Sequence, residues 1–385
     1  MQAVIFLKRL TLLNRYAIIK AIPQGSINAG GNTMFSMTLT DIQSILNDFS
    51  ITEKPGSFSE LQRYDYENSG ENSKEVRLII KVDFEDRSPV VIRFKNEKNV
   101  TEDIVEKQCR FAENLFEKGI STPHNYRNDG HFAIPYHLNG YDVIVTAEDF
   151  CEGEVKAVDE KTAYMTGELL AKMHNISERE NLHLNMRTLF DPLGRNDLFD
   201  ISVFAENRER LRKTAPALYD ETEKIKDSYM EKIAVFGNEP RYAVQGDISD
   251  CNLYITESGQ LGVFDFNNSG DNVLFYDAAM QAVFEATLMD YKEVSSPERE
   301  RNILSAFLTG YESQRPFTVE QRNTFPYLYA ILTAFEAGKM CYNEGNLESL
   351  IKENRNDDIR ECLKRMRDCL LDLKKPEILF GRVIL

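Results

Sequence analysis

A strand-rich segment interrupts the mainly helical second half of the chain. Residues 242–266 read YAVQGDISDCNLYITESGQLGVFDF, in which the apolar residues Leu253 and Ile255 alternate, ESGQ makes a turn, and a second apolar run follows. This pattern predicts a β-hairpin. Because paired strands place residues across from one another, we expect Asn252 and Asp265 to lie close together at the open end of the hairpin.

The polar residues of this segment match the needs of phosphoryl transfer. Asp247 precedes Asn252 by five residues, on the loop that leads into the hairpin. Carboxylate and amide oxygens suit Mg²⁺, which needs only one or two carboxylates from a protein. Kinases use an Asp to orient the attacking hydroxyl, and an Asn with a second Asp to hold metal against the nucleotide. The alternative is an ordinary hairpin in which these residues are turn and cap residues.

The segment resembles the signature of the aminoglycoside phosphotransferase and choline kinase group, within the protein-kinase-like superfamily. QGDISDCNLYI and GVFDF carry the resemblance, and it extends over about residues 55–340 through LFEKGISTP, EDFCEGE, TGELLAKMHNIS and FLTGYESQRPFT. It implies ATP and Mg²⁺ as cofactors, Asp247 as the catalytic base, and Asn252 and Asp265 as metal ligands. Gln245 stands where the group has a His, and an amide keeps both a donor and an acceptor.

The nucleotide-binding residues are predicted around a third strand, VVIRFK. Alternation places Arg93 and Lys95 on one face of this strand, where either could reach phosphate oxygens; the alternative for Lys95 is a solvated strand edge. The following helix has an inward-facing stripe in which Gln108 is the one polar residue. Gln108 takes the place of the group's Glu and could hydrogen-bond Arg93. Glu106 is the alternative residue for this role. The connector is expected to offer backbone groups to adenine; its residues are Glu148, Asp149, Phe150 and Cys151.

The order of elements predicts an α+β protein. Strands at 58–66, 76–84 and 90–95, a helix at 101–118, and strands at 131–136 and 141–146 precede a mainly helical remainder, with helices at 160–174, 199–215, 218–234, 277–290, 297–312, 318–340 and 348–373. The resemblance implies a bilobal protein-kinase-like fold: a small antiparallel-sheet N-lobe with one main helix and a larger, mostly helical C-lobe. The predicted domains are a nucleotide-binding lobe over 34–148 and a lobe with the catalytic and substrate site over 149–385.

Residues 1–33 are predicted to be a flexible basic extension outside the fold, for example one that lies upstream of a start at Met34; a transit-like or surface-associating segment is the alternative. Four basic residues and no acidic ones precede Asp41, and apolar runs there are too short to span a membrane. The loop at 64–72 has a single glycine, Gly70, so it gives little evidence for a phosphate-cradling loop.

Charge and cysteine content limit which partners and which cellular location can be expected. The chain has 46 basic and 62 acidic side chains, a net charge of −16, which argues against nucleic acid as a partner. Residues 141–160 hold seven acids and one lysine, and residues 241–300 hold eleven acids and three basic residues. This local charge favours a cationic substrate, such as an aminoglycoside or a choline-like alcohol. Six cysteines without a C-x-x-C pair predict reduced thiols and a cytoplasmic location; nothing indicates an oligomeric state.

The sequence therefore predicts an ATP-dependent phosphotransferase acting on a hydroxyl of a small molecule. Two alternatives stay open: a catalytically weak nucleotide-binding pseudokinase, suggested by Gln245 and Gln108, and a structural protein that uses the fold only for interactions. His174 is expected to be a hydrogen-bonded core residue, and Asp277 a helix N-cap first and a loop anchor second.

Overall fold

The computed structural model describes residues 35–65, 76–153, 155, 157–188, 191–194, 199–288 and 296–380. The chain forms two compact units. The first runs up to Glu106 and includes Asn125–Phe150; the second comprises Lys107–His124 and the chain from Cys151 onward. The predicted extension 1–33 and the loop around Gly70 lie outside the described residues. The lobe limits at 34–148 and 149–385 stay a prediction, and the segment 107–124 groups with the second unit.

The first unit is built on a five-stranded antiparallel sheet. Its strands lie in the order β1-β2-β3-β5-β4, and a helix, α1, precedes them. The bounds are α1 Leu39–Asp48, β1 Pro55–Asp65, β2 Val76–Phe84, β3 Val90–Asn96, β4 Ile134–Leu138 and β5 Tyr141–Asp149. The antiparallel sheet confirms the fold predicted for this part of the chain.

Alternation along β3 decides which residues enter the core. Val90, Ile92 and Phe94 are fully buried in an apolar cluster that includes residues of α1. Arg93 and Lys95 occupy the intervening positions and therefore lie on the opposite face. Both are nonetheless buried, with exposed fractions of 7% and 6%, so their charged ends need polar or charged partners.

The second unit is mainly helical. Helix α2, Glu102–Glu117, enters it at Lys107. Two small antiparallel pairs of strands, β6 with β9 and β7 with β8, lie among the helices. The remaining bounds are α3 Glu160–Arg179, α4 Ser202–Glu206, α5 Arg208–Thr214, α6 Pro216–Ala234, β6 Arg241–Val244, β7 Leu253–Ile255, β8 Leu261–Val263, β9 Gly270–Val273, α7 Leu274–Val283, α8 Pro297–Gln314, α9 Val319–Ala334, α10 Leu347–Lys352, α11 Asn356–Leu371 and α12 Pro376–Leu379.

Two glycines allow helices α3 and α8 to touch backbone to backbone. A Cβ atom on Gly167 would lie 2.0 Å from the carbonyl oxygen of Phe307, and one on Gly310 would lie 1.9 Å from that of Tyr164. No other residue fits at either position without moving a helix. This close crossing brings His174 of α3 next to Tyr311 of α8.

The structure corrects several predicted bounds. The predicted helix 199–215 is two helices, α4 and α5, separated at Asn207. The sequence does not predict strand β9, because Gly270–Val273 has a weak strand composition and pairs with β6, far away in the sequence. In the described residues no helix is both long enough and apolar enough to cross a membrane.

Candidate active site

The predicted hairpin is confirmed. Strands β7 and β8 pair in the register Leu253 with Val263 and Ile255 with Leu261. At the open end, the amide of Phe264 donates to the carbonyl oxygen of Asn252 at 2.9 Å. Asn252 therefore lies opposite the residue that precedes Asp265.

Gln245 joins the two loops that meet at the end of the hairpin. Its side chain is 1% exposed; its Oε1 accepts from the amide of Asp247 at 2.7 Å, and its Nε2 donates to the carbonyl oxygen of Asp265 at 2.9 Å. Gly246 follows with φ of +80°, and a Cβ atom there would lie 2.4 Å from the carbonyl oxygen of Asn268. The expectation that an amide at 245 supplies both a donor and an acceptor is confirmed.

Two asparagines hold Asp247. The side-chain Nδ2 of Asn252 donates to the backbone carbonyl of Asp247 at 2.8 Å, and Nδ2 of Asn268 donates to the carboxylate Oδ2 of Asp247 at 2.8 Å. The carboxylate is thus fixed by a side chain that sequence reasoning missed. The only local signal for Asn268 is its place three residues after Asp265, and a pair of asparagines after a strand usually indicates a turn.

Asn252 and Asp265 have the ligand chemistry that Mg²⁺ prefers. Because Nδ2 of Asn252 is a donor to Asp247, its Oδ1 is the amide's remaining acceptor. Asp265 adopts the left-handed region at φ 58°, and one carboxylate oxygen accepts from the amide of Asn267 at 3.4 Å. In the described part of the chain no group of three or more His, Cys, Asp or Glu side chains could hold a metal. Mg²⁺ in proteins commonly takes one or two carboxylates and completes its shell with phosphate and water oxygens.

A buried network of hydrogen-bonded side chains connects the loop of Asp247 to helices α7, α3 and α8. The amide of Ile248 donates to Oε1 of Gln281 at 3.2 Å, and Nε2 of Gln281 donates to Oδ1 of Asp277 at 3.4 Å. Oδ2 of Asp277 lies 3.0 Å from Nε2 of His174, whose Nδ1 lies 2.9 Å from the hydroxyl of Tyr311. All four side chains are at most 1% exposed, and burial raises the pKa of Tyr311.

These contacts decide two predictions. His174 is a hydrogen-bonded core residue, as expected. The expectation that Asp277 is an N-cap is wrong: α7 begins at Leu274, with Val273 as its cap residue, and Asp277 lies inside the helix. It acts on the loop of Asp247 through Gln281, which is the second of the two roles considered for it.

In the first unit, Arg93 forms an ion pair within the sheet. Its Nε and Nη2 lie 2.8 and 2.6 Å from Oε1 of Glu148, on the neighbouring strand β5. The two side chains are 9% and 13% exposed.

Lys95 lines a cavity of about 400 Å³ together with Pro135 and His137, among others.

The connector after β5 has some of its groups already bonded. The amide of Phe150 donates to the carbonyl of Pro89 at 3.0 Å, which removes it from the groups predicted to reach adenine. The carboxylate of Asp149 accepts from the hydroxyl of Tyr126 at 2.6 Å. Burial, with this hydrogen bond, raises the pKa of Tyr126 to about 12. Cys151 begins the next stretch of the second unit and is half-buried.

Helix α2 contacts the loop that follows Asp265. Nε2 of Gln108 donates to the carbonyl of Asn267 at 2.8 Å, and the ring of Phe111 meets that of Phe266 edge-on, with centroids 5.7 Å apart. In the first unit, the carboxylate of Glu106 accepts from the backbone amides of residues 132 and 133, at 2.7 and 3.0 Å.

The fold has counterparts among solved structures. An amicoumacin kinase in complex with AMP-PNP, Ca²⁺ and Ami matches with a TM-score of 0.53 and 14% identity, over 85% of this chain and 93% of that one. A microcompartment-associated aminopropanol kinase matches with a TM-score of 0.51 and 13% identity, over 86% and 95% of the two chains. The chain has the fold of these small-molecule kinases. No protein-family profile and no curated protein sequence matches it.

Proposed function

We propose that the protein is a kinase that uses ATP and Mg²⁺ to phosphorylate a hydroxyl group of a small molecule. The observation that carries the proposal is the set of hydrogen bonds around Asp247. Gln245, Asn252 and Asn268 fix its backbone and carboxylate beside the end of the hairpin that bears Asp265. An ordinary hairpin has no need of a hydrogen-bond network that orients one carboxylate. The fold shared with small-molecule kinases supports the same reaction.

In this reaction Asp247 accepts the proton of the attacking hydroxyl. The hydroxyl oxygen forms a bond to the γ-phosphorus, the bond from that phosphorus to the bridging oxygen breaks, and ADP leaves with the electron pair. Asn252 and Asp265 would hold Mg²⁺, which supplies positive charge against the phosphate oxygens. The hydrogen bond from Asn268 to Oδ2 keeps the carboxylate of Asp247 in one orientation.

The first unit would supply the cations and part of the connector that bind the nucleotide. Arg93, held by Glu148, and Lys95 are proposed to contact phosphate oxygens, since both lie on one face of β3. Asp149 and Cys151 are proposed to offer backbone groups to adenine, because the amide of Phe150 is bonded to Pro89.

The substrate is proposed to be a cationic alcohol. The acids at 141–160 and 241–300 exceed the basic residues there, although some are already bonded: Glu148 pairs with Arg93, and the carboxylate of Asp271 accepts from two backbone amides. The remaining charge would attract a protonated amine. One of the kinases that share this fold is an aminopropanol kinase, and aminopropanol combines an amine and a hydroxyl.

The test is an ADP-release assay with Mg·ATP over a panel of amino alcohols, aminoglycosides and neutral sugars, with Asp247→Asn and Asp265→Asn as controls. We expect turnover with at least one amino alcohol and its loss in both variants. Nucleotide binding without turnover across the panel would favour the pseudokinase, and the absence of nucleotide binding would favour a purely structural protein.

A further inference from the structure

Kinases hold the phosphate-binding cation of β3 with an acid on the following helix, and in this chain the corresponding helix position is Gln108. We infer that Glu148 is the acid that holds Arg93, and that Gln108 positions the loop carrying Asp265. Both residues are positioning residues, and the inference rests on the proposed function.

The contacts of Arg93 support the first part. Nε and Nη2 both reach Oε1 of Glu148, and both side chains are largely buried. The antiparallel register, which pairs Val91 with Glu148 and Arg93 with Thr146, places the two side chains two positions apart on adjacent strands. Charge-assisted bonds of this kind are short and directional. The guanidinium is therefore held by the sheet itself.

The contacts of Gln108 support the second part. The side chain is 5% exposed and its Nε2 donates to a backbone carbonyl, that of Asn267. A carboxylate at this position has no hydrogen to donate and would face the carbonyl oxygen with a negative charge. The edge-on contact of Phe111 with Phe266 joins the same helix and loop one turn further along the helix. Helix α2 therefore packs against the Asp265 loop and is hydrogen-bonded to it. The hydrogen bond to Asn267 requires a donor at position 108, which an amide has and a carboxylate lacks.

The two interpretations of Gln108 give opposite results for Gln108→Glu. If the residue were a weakened partner of Arg93, a glutamate would restore the ion pair and raise activity. If it fastens the Asp265 loop, a glutamate breaks the hydrogen bond to Asn267 and disturbs Asp265, the proposed metal ligand two residues earlier.

The experiment measures ADP binding to the full chain by calorimetry, with and without Mg²⁺, beside kcat for the best alcohol. Gln108→Glu is expected to weaken ADP binding roughly tenfold in Mg²⁺, because one hydrogen bond to the Asp265 loop is lost. Metal-free binding should be unchanged, because Asp265 is proposed to act on the nucleotide only through the metal. Gln260→Glu adds the same charge at the exposed tip of the hairpin and is the matched control. Gln108→Met removes the hydrogen bond without adding charge and serves if Gln108→Glu fails to fold.

Glu148→Gln is expected to weaken ADP binding about tenfold both with and without Mg²⁺, because Arg93 loses its charged partner. Glu85→Gln, an exposed change in the same unit, is the control. A rise in kcat in Gln108→Glu, or Mg²⁺-dependent binding equal to that of its control, overturns the role of Gln108. Binding in Glu148→Gln equal to its control overturns the role of Glu148. A wild-type chain that binds no nucleotide overturns the proposed function, and the inference with it.

Discussion

Replacing Gln245 by alanine should damage both stability and catalysis. The substitution leaves the amide of Asp247 and the carbonyl of Asp265 without their side-chain partner, in a position that is 1% exposed. Each buried polar group left unsatisfied costs about 1–3 kcal/mol, so for two groups we expect a loss of about 2–6 kcal/mol in the free energy of unfolding. For a unit of this size that is a fall in Tm of roughly 5–15 °C.

The catalytic effect follows from geometry. Gln245 links the backbone of the proposed base to that of a proposed metal ligand, and a displacement of about 1 Å at a reacting group can cost on the order of 100-fold in rate. We therefore expect kcat to fall by about that factor in Gln245→Ala. Gln245→His, which offers one donor and one acceptor in its neutral form, should retain part of the activity. Gln245→Glu should lose mainly the bond to Asp265, because it keeps only acceptors.

The assay is thermal unfolding followed by circular dichroism at 222 nm, because the chain contains no tryptophan, together with ADP release at saturating substrate. Gln260→Ala, at the exposed tip of the same hairpin, is the matched control. A Gln245→Ala variant with the Tm and kcat of that control would refute the reasoning, since it would show that the two loops hold their positions without the amide.

Three further perturbations test other parts of the structure. Asn268→Ala should lower kcat about 10–100-fold by releasing the carboxylate of Asp247, with ADP binding by calorimetry unchanged; an equal loss of binding would contradict this role. Gly310→Ala should cost about 3 kcal/mol or more in urea unfolding, because the new Cβ would lie 1.9 Å from a backbone oxygen, whereas Gly56→Ala, with 3.7 Å to its nearest neighbour, should cost little. Asp159 caps α3 by accepting from the amide of Thr162, and this bond lowers its pKa. Asp159→Ala should therefore cost about 1 kcal/mol at pH 7, and the difference from wild type should vanish as the pH falls through that lowered pKa; a constant difference would contradict the assignment.

The features that could be predicted from sequence are those fixed by local pattern. Strand β2 is predicted with its observed limits, 76–84, because turn residues stand on both sides of an apolar run. The hairpin follows from alternation around a turn, and the donor and acceptor of Gln245 from its chemistry. Each of these depends on residues within about twenty positions of one another.

The features that could not be predicted depend on how the strands pair, or have no local mark in the sequence. Arg93 meets Glu148 because β3 lies next to β5, and strand order is a tertiary property. Asn268 reaches Asp247 because the chain turns back after Phe266 to form β9 beside β6. Helix α7 starts at Leu274, earlier than predicted. Its cap residue, Val273, makes no side-chain cap, so no polar residue in the sequence marks where the helix begins.

Two glutamines stand where the kinase pattern has a His and a Glu, and their contacts in the structure do not indicate lost function. Gln245 bridges two backbones, and Gln108 donates to a third backbone group. An amide can make these contacts at any pH, because it has no proton to gain or lose near neutrality. The charge that the pattern assigns to the helix is present on the sheet, at Glu148 beside Arg93. The polar contacts thus lie at other positions than in the kinase pattern, while the carboxylate of Asp247, the amide oxygen of Asn252 and the carboxylate of Asp265 are kept around one hairpin. That retained set favours a working phosphotransferase over a protein that only binds nucleotide.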